Sequence, residues 1–154
     1  MEKIISRYES GDFVVSGSSA GAAAASSLMI TGGEPSMTRD AVSATAGLGF
    51  LPCSVIDTHF TERGRLPRLF NLVSTSPRLL GIGLDEDTGI IYKKDDSIEV
   101  VGKGHAIFVN GRNMTGTTVT DTQSGEAFTS TGLETVSLRA GDVYSIAQRK
   151  KRTP

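Results

Sequence analysis

The chain is poor in the residues that staple, ligate or anchor. It holds one cysteine, which excludes an internal disulfide framework and a cysteine-based metal site. It has no long hydrophobic run: nothing approaches the roughly 18 apolar residues that span a bilayer, so no membrane association is expected. It lacks an excess of either charge. Sixteen Lys+Arg stand against seventeen Asp+Glu, a net charge of −1, which excludes a nucleic-acid binder working by bulk charge. The opening residues Met1-Glu2-Lys3-Ile4-Ile5 show no apolar core of a secretory signal. A reduced, cytoplasmic setting is the expectation.

What remains is ordinary globular composition. Hydrophobic residues make up 38% and charged residues 21% of 154 positions, which predicts one domain. A chain of this length can bury roughly two-thirds of its unfolded surface. Residues 1–92 read as an α/β part and residues 93–154 as a β-rich part. The apolar run Asp12-Phe13-Val14-Val15-Ser16-Gly17 predicts a buried strand. Residues 20–30, opening with an alanine-rich stretch and stopped by Gly32-Gly33, predict a helix. Residues 34–49 are small and polar and predict a loop or flap. Ser54-Val55-Ile56-Asp57 and residues 79–84 predict further strands. Apolar residues at 66, 69, 70 and 73 have helical spacing. Beyond residue 88, closely spaced turn signals separate short apolar runs at 98–101, 106–109, 136–138 and 143–146, the pattern of antiparallel strands. The basic run Arg149-Lys150-Lys151-Arg152 reads as a solvated chain end.

The sharpest local feature is Gly17-Ser18-Ser19-Ala20-Gly21, a G-x-S-x-G between an expected strand and an expected helix. A serine there sits in a strained turn, small neighbours relieve clashes, and the helix N-terminus aims free N–H groups at the reacting centre. The Ala20 N–H is the natural oxyanion donor. A tight turn or an anion-binding loop would also use these residues. A serine hydroxyl needs a base. Of the two histidines, His105 falls between two strands and reads as a turn or sheet-edge residue. His59 follows a strand, where the active-site groups of α/β folds collect. The base in turn needs an orienting acid, which the run Asp85-Glu86-Asp87 at another strand end can supply; three adjacent acids also suit a solvated turn. Arg63, Arg65 and Arg68 cluster after His59. Guanidinium forks bind carboxylates, so they suggest a carboxylate-rich substrate, with a charged first turn of a surface helix as the plainer reading.

Three segments, in order, resemble the cyanophycinases, serine peptidases related to dipeptidase E. They are Phe13-Val14-Val15-Ser16-Gly17-Ser18-Ser19-Ala20-Gly21 with Met29-Ile30-Thr31-Gly32-Gly33; Gly47-Leu48-Gly49-Phe50-Leu51-Pro52 with Ile56-Asp57-Thr58-His59-Phe60-Thr61-Glu62-Arg63-Gly64-Arg65; and Pro77-Arg78-Leu79-Leu80-Gly81-Ile82-Gly83-Leu84-Asp85-Glu86-Asp87-Thr88. The resemblance covers essentially the whole chain. It implies a fold like that of class I glutamine amidotransferases, an α/β parallel sheet with flanking helices followed by antiparallel C-terminal strands. It implies hydrolysis of cyanophycin, a polyaspartate carrying arginine on its side-chain carboxyls, to β-Asp-Arg dipeptides. It makes Ser19 the nucleophile, His59 the base and then acid, and Glu86 the orienting acid. Asp57, Thr58, Arg63, Arg65 and Arg68 match substrate-recognition positions. It implies no metal or other cofactor.

The chain departs from the family pattern in three places. Thr58 stands where a glutamine is usual, which bears on fine specificity. Ser18 replaces a threonine. The family's N-terminal half, with several parallel strands and a second oxyanion donor, has no counterpart in this sequence. Bared strand edges invite pairing, so three routes stay open: self-association to a homo-oligomer, a separate chain supplying that half, or a fragment of a longer protein. An isolated chain would lose about 2–4 kcal/mol of transition-state stabilisation per absent donor. Two other functions stay open: a non-catalytic half-subunit that needs a partner, and a dipeptidase E-like aspartyl dipeptidase.

Overall fold

The computed structural model describes residues 2–11 and 13–152. Helices α1 (Glu2–Ser10) and α2 (Ala20–Ala25) come first. Strands β1 (Ser26–Gly33), β2 (Val42–Ala46) and β3 (Leu51–Thr58) follow, then helix α3 (Leu66–Thr75) and strand β4 (Leu80–Leu84). The remainder is all strand: β5 (Thr88–Tyr92), β6 (Ser97–Gly102), β7 (His105–Asn110), β8 (Gly116–Thr117), β9 (Ser130–Thr131), β10 (Glu134–Arg139), β11 (Val143–Ser145) and β12 (Lys150–Lys151).

The main sheet has the order β10-β7-β4-β3-β1-β2. Its three central strands, β1, β3 and β4, run parallel, and antiparallel strands close both flanks. A second sheet, β12-β11-β6-β5, is antiparallel, and β8 pairs with β9. This is the expected α/β class. Strands β7 and β10 join the main sheet, so chain beyond residue 92 contributes to both layers.

Two apolar layers hold the sheet. On one face Leu80, Ile82 and Leu84 of β4 pack with Ile98, Val100, Phe108 and Tyr144; the Phe108 and Tyr144 rings stack with centroids 4.2 Å apart. On the other face Leu69, Leu72 and Val73 of α3 pack with Val55, Phe60 and Val109. The alternation in Leu80-Gly81-Ile82-Gly83-Leu84 explains how α3 comes so close. Side chains two apart share a face, and the two glycines lie on the α3 side. A Cβ on Gly81 would sit 2.8 Å from the Val73 side chain, and one on Gly83 would sit 2.4 Å from the Phe60 ring.

The front of the chain differs from the sequence expectation. Residues 13–18 form no strand, and Val14 is 90% exposed; Asp12, the first residue of the expected strand, lies outside the described residues. No backbone hydrogen bond joins residues 13–17 to another described residue. An apolar run becomes a strand when a neighbour takes its backbone groups, and no described strand lies beside this one. The expected helix over 20–30 stops at Ala25. Ser26 donates its hydroxyl to the carbonyls of Ala23 and Leu28, the local competition that breaks helices, and residues 26–33 enter the sheet beside β3. The expected flap over 34–49 contains β2, paired antiparallel with β1. The basic run at 149–152 is not a free end: Arg149 is buried, Lys151 pairs with Asp142 at 2.6 Å and Arg152 with Asp95 at 2.9 Å.

Candidate active site

Parallel pairing sets the stage. β3 and β4 run in register to Thr58↔Leu84, so the residues that follow, His59 on one and Asp85-Glu86 on the other, emerge side by side. His59 leaves the strand with a positive φ of 50°. Phe60 then plunges into the core at 1% exposure, against Gly83, and its N–H donates to the Leu84 carbonyl at 3.1 Å. The imidazole is thereby held at the sheet's carboxyl end.

Ser19 reaches the same place from the other direction. It lies at the N-cap of α2 with φ 48° and ψ −116°, the left-handed region that costs a non-glycine residue free energy. Gly17 is required beside it, because a Cβ there would lie 2.5 Å from the Gly21 backbone. The Ser19 carbonyl accepts from the N–H groups of Ala22 and Ala23, both at 3.1 Å. The Ala20 N–H has no backbone acceptor among the described residues.

The three side chains form a row. Ser19 Oγ lies 3.0 Å from His59 Nε2, and His59 Nδ1 lies 2.9 Å from Glu86 Oε1. The tautomer that satisfies both contacts carries its proton on Nδ1, donated to Glu86, and leaves Nε2 to accept from the serine hydroxyl. The three adjacent acids divide. Glu86 faces the imidazole. Asp85 is buried and accepts from the Thr61 N–H and hydroxyl and from the His105 N–H. Asp87 pairs with Lys103 on the surface at 3.4 Å. His105 opens β7 with its side chain 57% exposed, and its Nδ1 is 3.9 Å from Asp85.

The arginines divide as well. Arg68 is buried and grips both carboxylate oxygens of Asp57, itself 2% exposed. Arg65 reaches the same carboxylate at 3.3 Å and donates to the Thr58 carbonyl at 2.6 Å. Burial, then the neighbouring Arg68 charge, holds the Arg65 guanidinium below its ordinary range. The Thr58 N–H donates to Asp57. Asp57, Arg65 and Arg68 thus form one ion-paired cluster, with Asp57 and Arg68 buried and Thr58 joined through its backbone. Arg63 is exposed and makes no side-chain hydrogen bond or ion pair with another described residue, so its fork faces solvent. Among the described residues no group of three His, Cys, Asp or Glu side chains converges as a metal would require.

A serine on a strained turn before a helix, an imidazole and a carboxylate in a hydrogen-bonded row is an arrangement for acyl transfer. Comparison with known proteins agrees with that chemistry: the sequence profile of peptidase family S51 matches residues 1–101.

The chain belongs to peptidase family S51.

It is 43% identical over 116 residues to a cyanophycinase of Geminocystis herdmanii, covering 74% of this chain and 43% of that one. It is 36% identical over 151 residues to cyanophycinases of Trichormus variabilis and a Nostoc species, covering 97% of this chain and 51% of each of those. The chain therefore spans about half the length of the curated relatives it matches. The sequence singled out neither Thr61 nor Glu62, and it offered Asp85 only as one of three candidate acids, not as a tie between loops beside the row. The Thr61–Asp85 and Glu62–Glu86 contacts bridge two loops 24 residues apart in sequence, and no periodicity or spacing reports such a pairing.

Proposed function

We propose that this chain is the catalytic portion of a serine exopeptidase that hydrolyses cyanophycin to β-Asp-Arg dipeptides. The observation that supports it is the row Ser19–His59–Glu86, with contacts of 3.0 and 2.9 Å, in a chain whose relatives are cyanophycinases. Ser19 Oγ attacks the scissile carbonyl carbon while its proton passes to His59 Nε2. The carbonyl electrons move onto oxygen, where the Ala20 N–H stabilises the charge. Collapse breaks the C–N bond, and His59 returns the proton to the leaving amine. Water repeats the sequence on the acyl-enzyme, with His59 again as base. Glu86 holds the imidazole tautomer and the transient imidazolium. Arg63 meets the substrate directly. Asp57, Thr58, Arg65 and Arg68 act through the wall they build beneath it. No metal or other cofactor takes part.

A second reading, an incomplete subunit that works only with a partner, is favoured by one observation. Residues 13–17, just ahead of the nucleophile turn, make no backbone hydrogen bond to another described residue, and Val14 is almost fully exposed. A separate chain or a second copy would pair there.

The test is incubation with cyanophycin, with short Asp-X peptides in parallel, and chromatographic assay for β-Asp-Arg. Native mass spectrometry of the same sample gives the assembly. Dipeptide release by the chain, absent in Ser19→Ala, supports the first reading. Release only after a second polypeptide is added supports the second. Cleavage of Asp-X peptides with cyanophycin untouched points to an aspartyl dipeptidase instead.

A further inference from the structure

The carboxylate that meets His59 rides on an exposed turn: the Glu86 side chain is 58% exposed, and the next residue, Asp87, has a positive φ of 52°. The β4–β7 ladder does not hold Glu86. Its last tie is the Asp85 N–H to the His105 carbonyl at 3.2 Å. Exposed side chains on such turns sample several rotamers, and a single hydrogen bond to a half-buried imidazole is a modest restraint. Other groups fix the turn. The Glu86 carbonyl accepts from the Thr88 hydroxyl at 3.0 Å, and that hydroxyl in turn accepts from the Gly104 N–H at 2.9 Å. The Glu86 N–H donates to Glu62 Oε1 at 3.0 Å.

Glu62 stands three residues after His59, on the loop that carries the base. The contacts therefore close a ring: His59 to Glu62 through the chain, Glu62 to the Glu86 backbone, and the Glu86 carboxylate back to His59. Asp85 adds a parallel tie, because its buried carboxylate takes the Thr61 N–H at 3.1 Å and the Thr61 hydroxyl at 2.8 Å. The loop that delivers the base thus also grips the turn that delivers the acid, and the distance between them is set locally rather than by the sheet alone. A carboxylate accepting a backbone N–H is a charge-assisted bond, stronger than a neutral one.

We propose that Glu62 is a positioning residue: by accepting the Glu86 N–H it holds the Glu86 carboxylate on His59 Nδ1. The proposal rests on the peptidase reading of Ser19, His59 and Glu86. Glu62 is exposed, so its replacement leaves the core intact. Glu62→Ala removes the acceptor. Glu62→Gln keeps an acceptor oxygen and removes the charge.

Two readouts separate the proposal from the reading beneath it. The first is the downfield proton NMR resonance of the hydrogen-bonded His59 Nδ1–H, assigned by its loss in His59→Gln. The second is the rate of fluorophosphonate modification of Ser19. Wild type and Glu62→Gln keep the resonance, while Glu62→Ala loses it to solvent exchange at an unchanged melting temperature. Modification slows about tenfold in Glu62→Ala, the size of one lost hydrogen bond, and stays within about twofold in Glu62→Gln. A resonance and a labelling rate that survive in Glu62→Ala overturn the proposal while leaving the peptidase reading standing. Equal losses in both variants overturn it too, because the charge and not the acceptor would then be at work. If wild type resists labelling yet the resonance vanishes only in Glu62→Ala, the peptidase reading fails and the positioning role holds.

Discussion

The base and acid on one side, and the nucleophile on the other, are held by different means. His59 and Glu86 follow two strands paired residue by residue at the centre of the sheet. They are braced by the buried Phe60 and Asp85, and the Asp57–Arg65–Arg68 cluster underlies the loop. Ser18 and Ser19 follow an arm, residues 13–17, that makes no backbone hydrogen bond to another described residue. What fixes Ser19 is the start of α2, the Gly17–Gly21 contact and the hydroxyl's own bond to His59. Two of the row's three members are therefore specified by long-range sheet pairing within this chain. The third, Ser19, is specified by a local turn and follows backbone that has no hydrogen-bond partner among the described residues. The contrast says where the partner of the second proposed reading would act: at residues 13–17 and not at the strand tips.

The comparison can be broken most severely at the nucleophile. Ser19→Ala should lower cyanophycin hydrolysis by at least about 10³-fold and leave the melting temperature almost unchanged, since the side chain is exposed. Activity assays and thermal melts on the same preparation check both halves of that statement. At the tips the reverse holds. Asp57→Ala leaves Arg68 buried without its counter-charge, a loss of about 3–5 kcal/mol in stability, to be read from denaturant unfolding. A milder pair sharpens the contrast. Ile82→Val, fully buried on β4, should cost about 1 kcal/mol, whereas Val14→Ala on the arm should fall within about 0.5 kcal/mol.

The smallest effect lies away from both regions. Asp95 accepts the Ser97 hydroxyl and N–H and pairs with Arg152. The Ser97 hydroxyl, then Arg152, hold its carboxyl down at about 2, against an ordinary 3.8. The folded value lies below the unfolded one, so the contribution to stability is present above pH 3.8 and is lost as pH falls through about 2. Melting temperatures taken from pH 4 to pH 2 should therefore fall slightly more steeply for wild type than for Asp95→Asn.

Much of the site could be read from residues alone, because its information is local. Gly17-Ser18-Ser19-Ala20-Gly21 announces a strained turn by spacing, and His59 and the acids follow recognisable apolar strands. Four of the C-terminal strands are equally plain: turn residues punctuate them at short intervals, and the runs at 98–101 and 106–109 lie inside β6 and β7, whereas β5, β8, β9 and β12 carry no such signal. The misreadings share one cause. The alanines before Ser26 favour helix, yet residues 26–33 take strand because β3 offers them a ladder. The apolar run before Ser19 favours strand, yet residues 13–17 find no ladder among the described residues. Strand formation depends on a neighbour that local sequence does not name. The division of Asp85, Glu86 and Asp87, and of the three arginines, was hidden for the same reason. Each side chain's partner lies across the fold, and only the Thr58↔Leu84 register decides which acid faces the imidazole.

The most direct test of the proposed triad is fluorophosphonate modification of the chain, located by peptide mass spectrometry and timed in wild type and in His59→Ala. Activation of the serine by the imidazole predicts modification confined to Ser19, slowed at least about 10²-fold when the imidazole is removed. An unmodified Ser19, or one that reacts equally fast in both proteins, would contradict it.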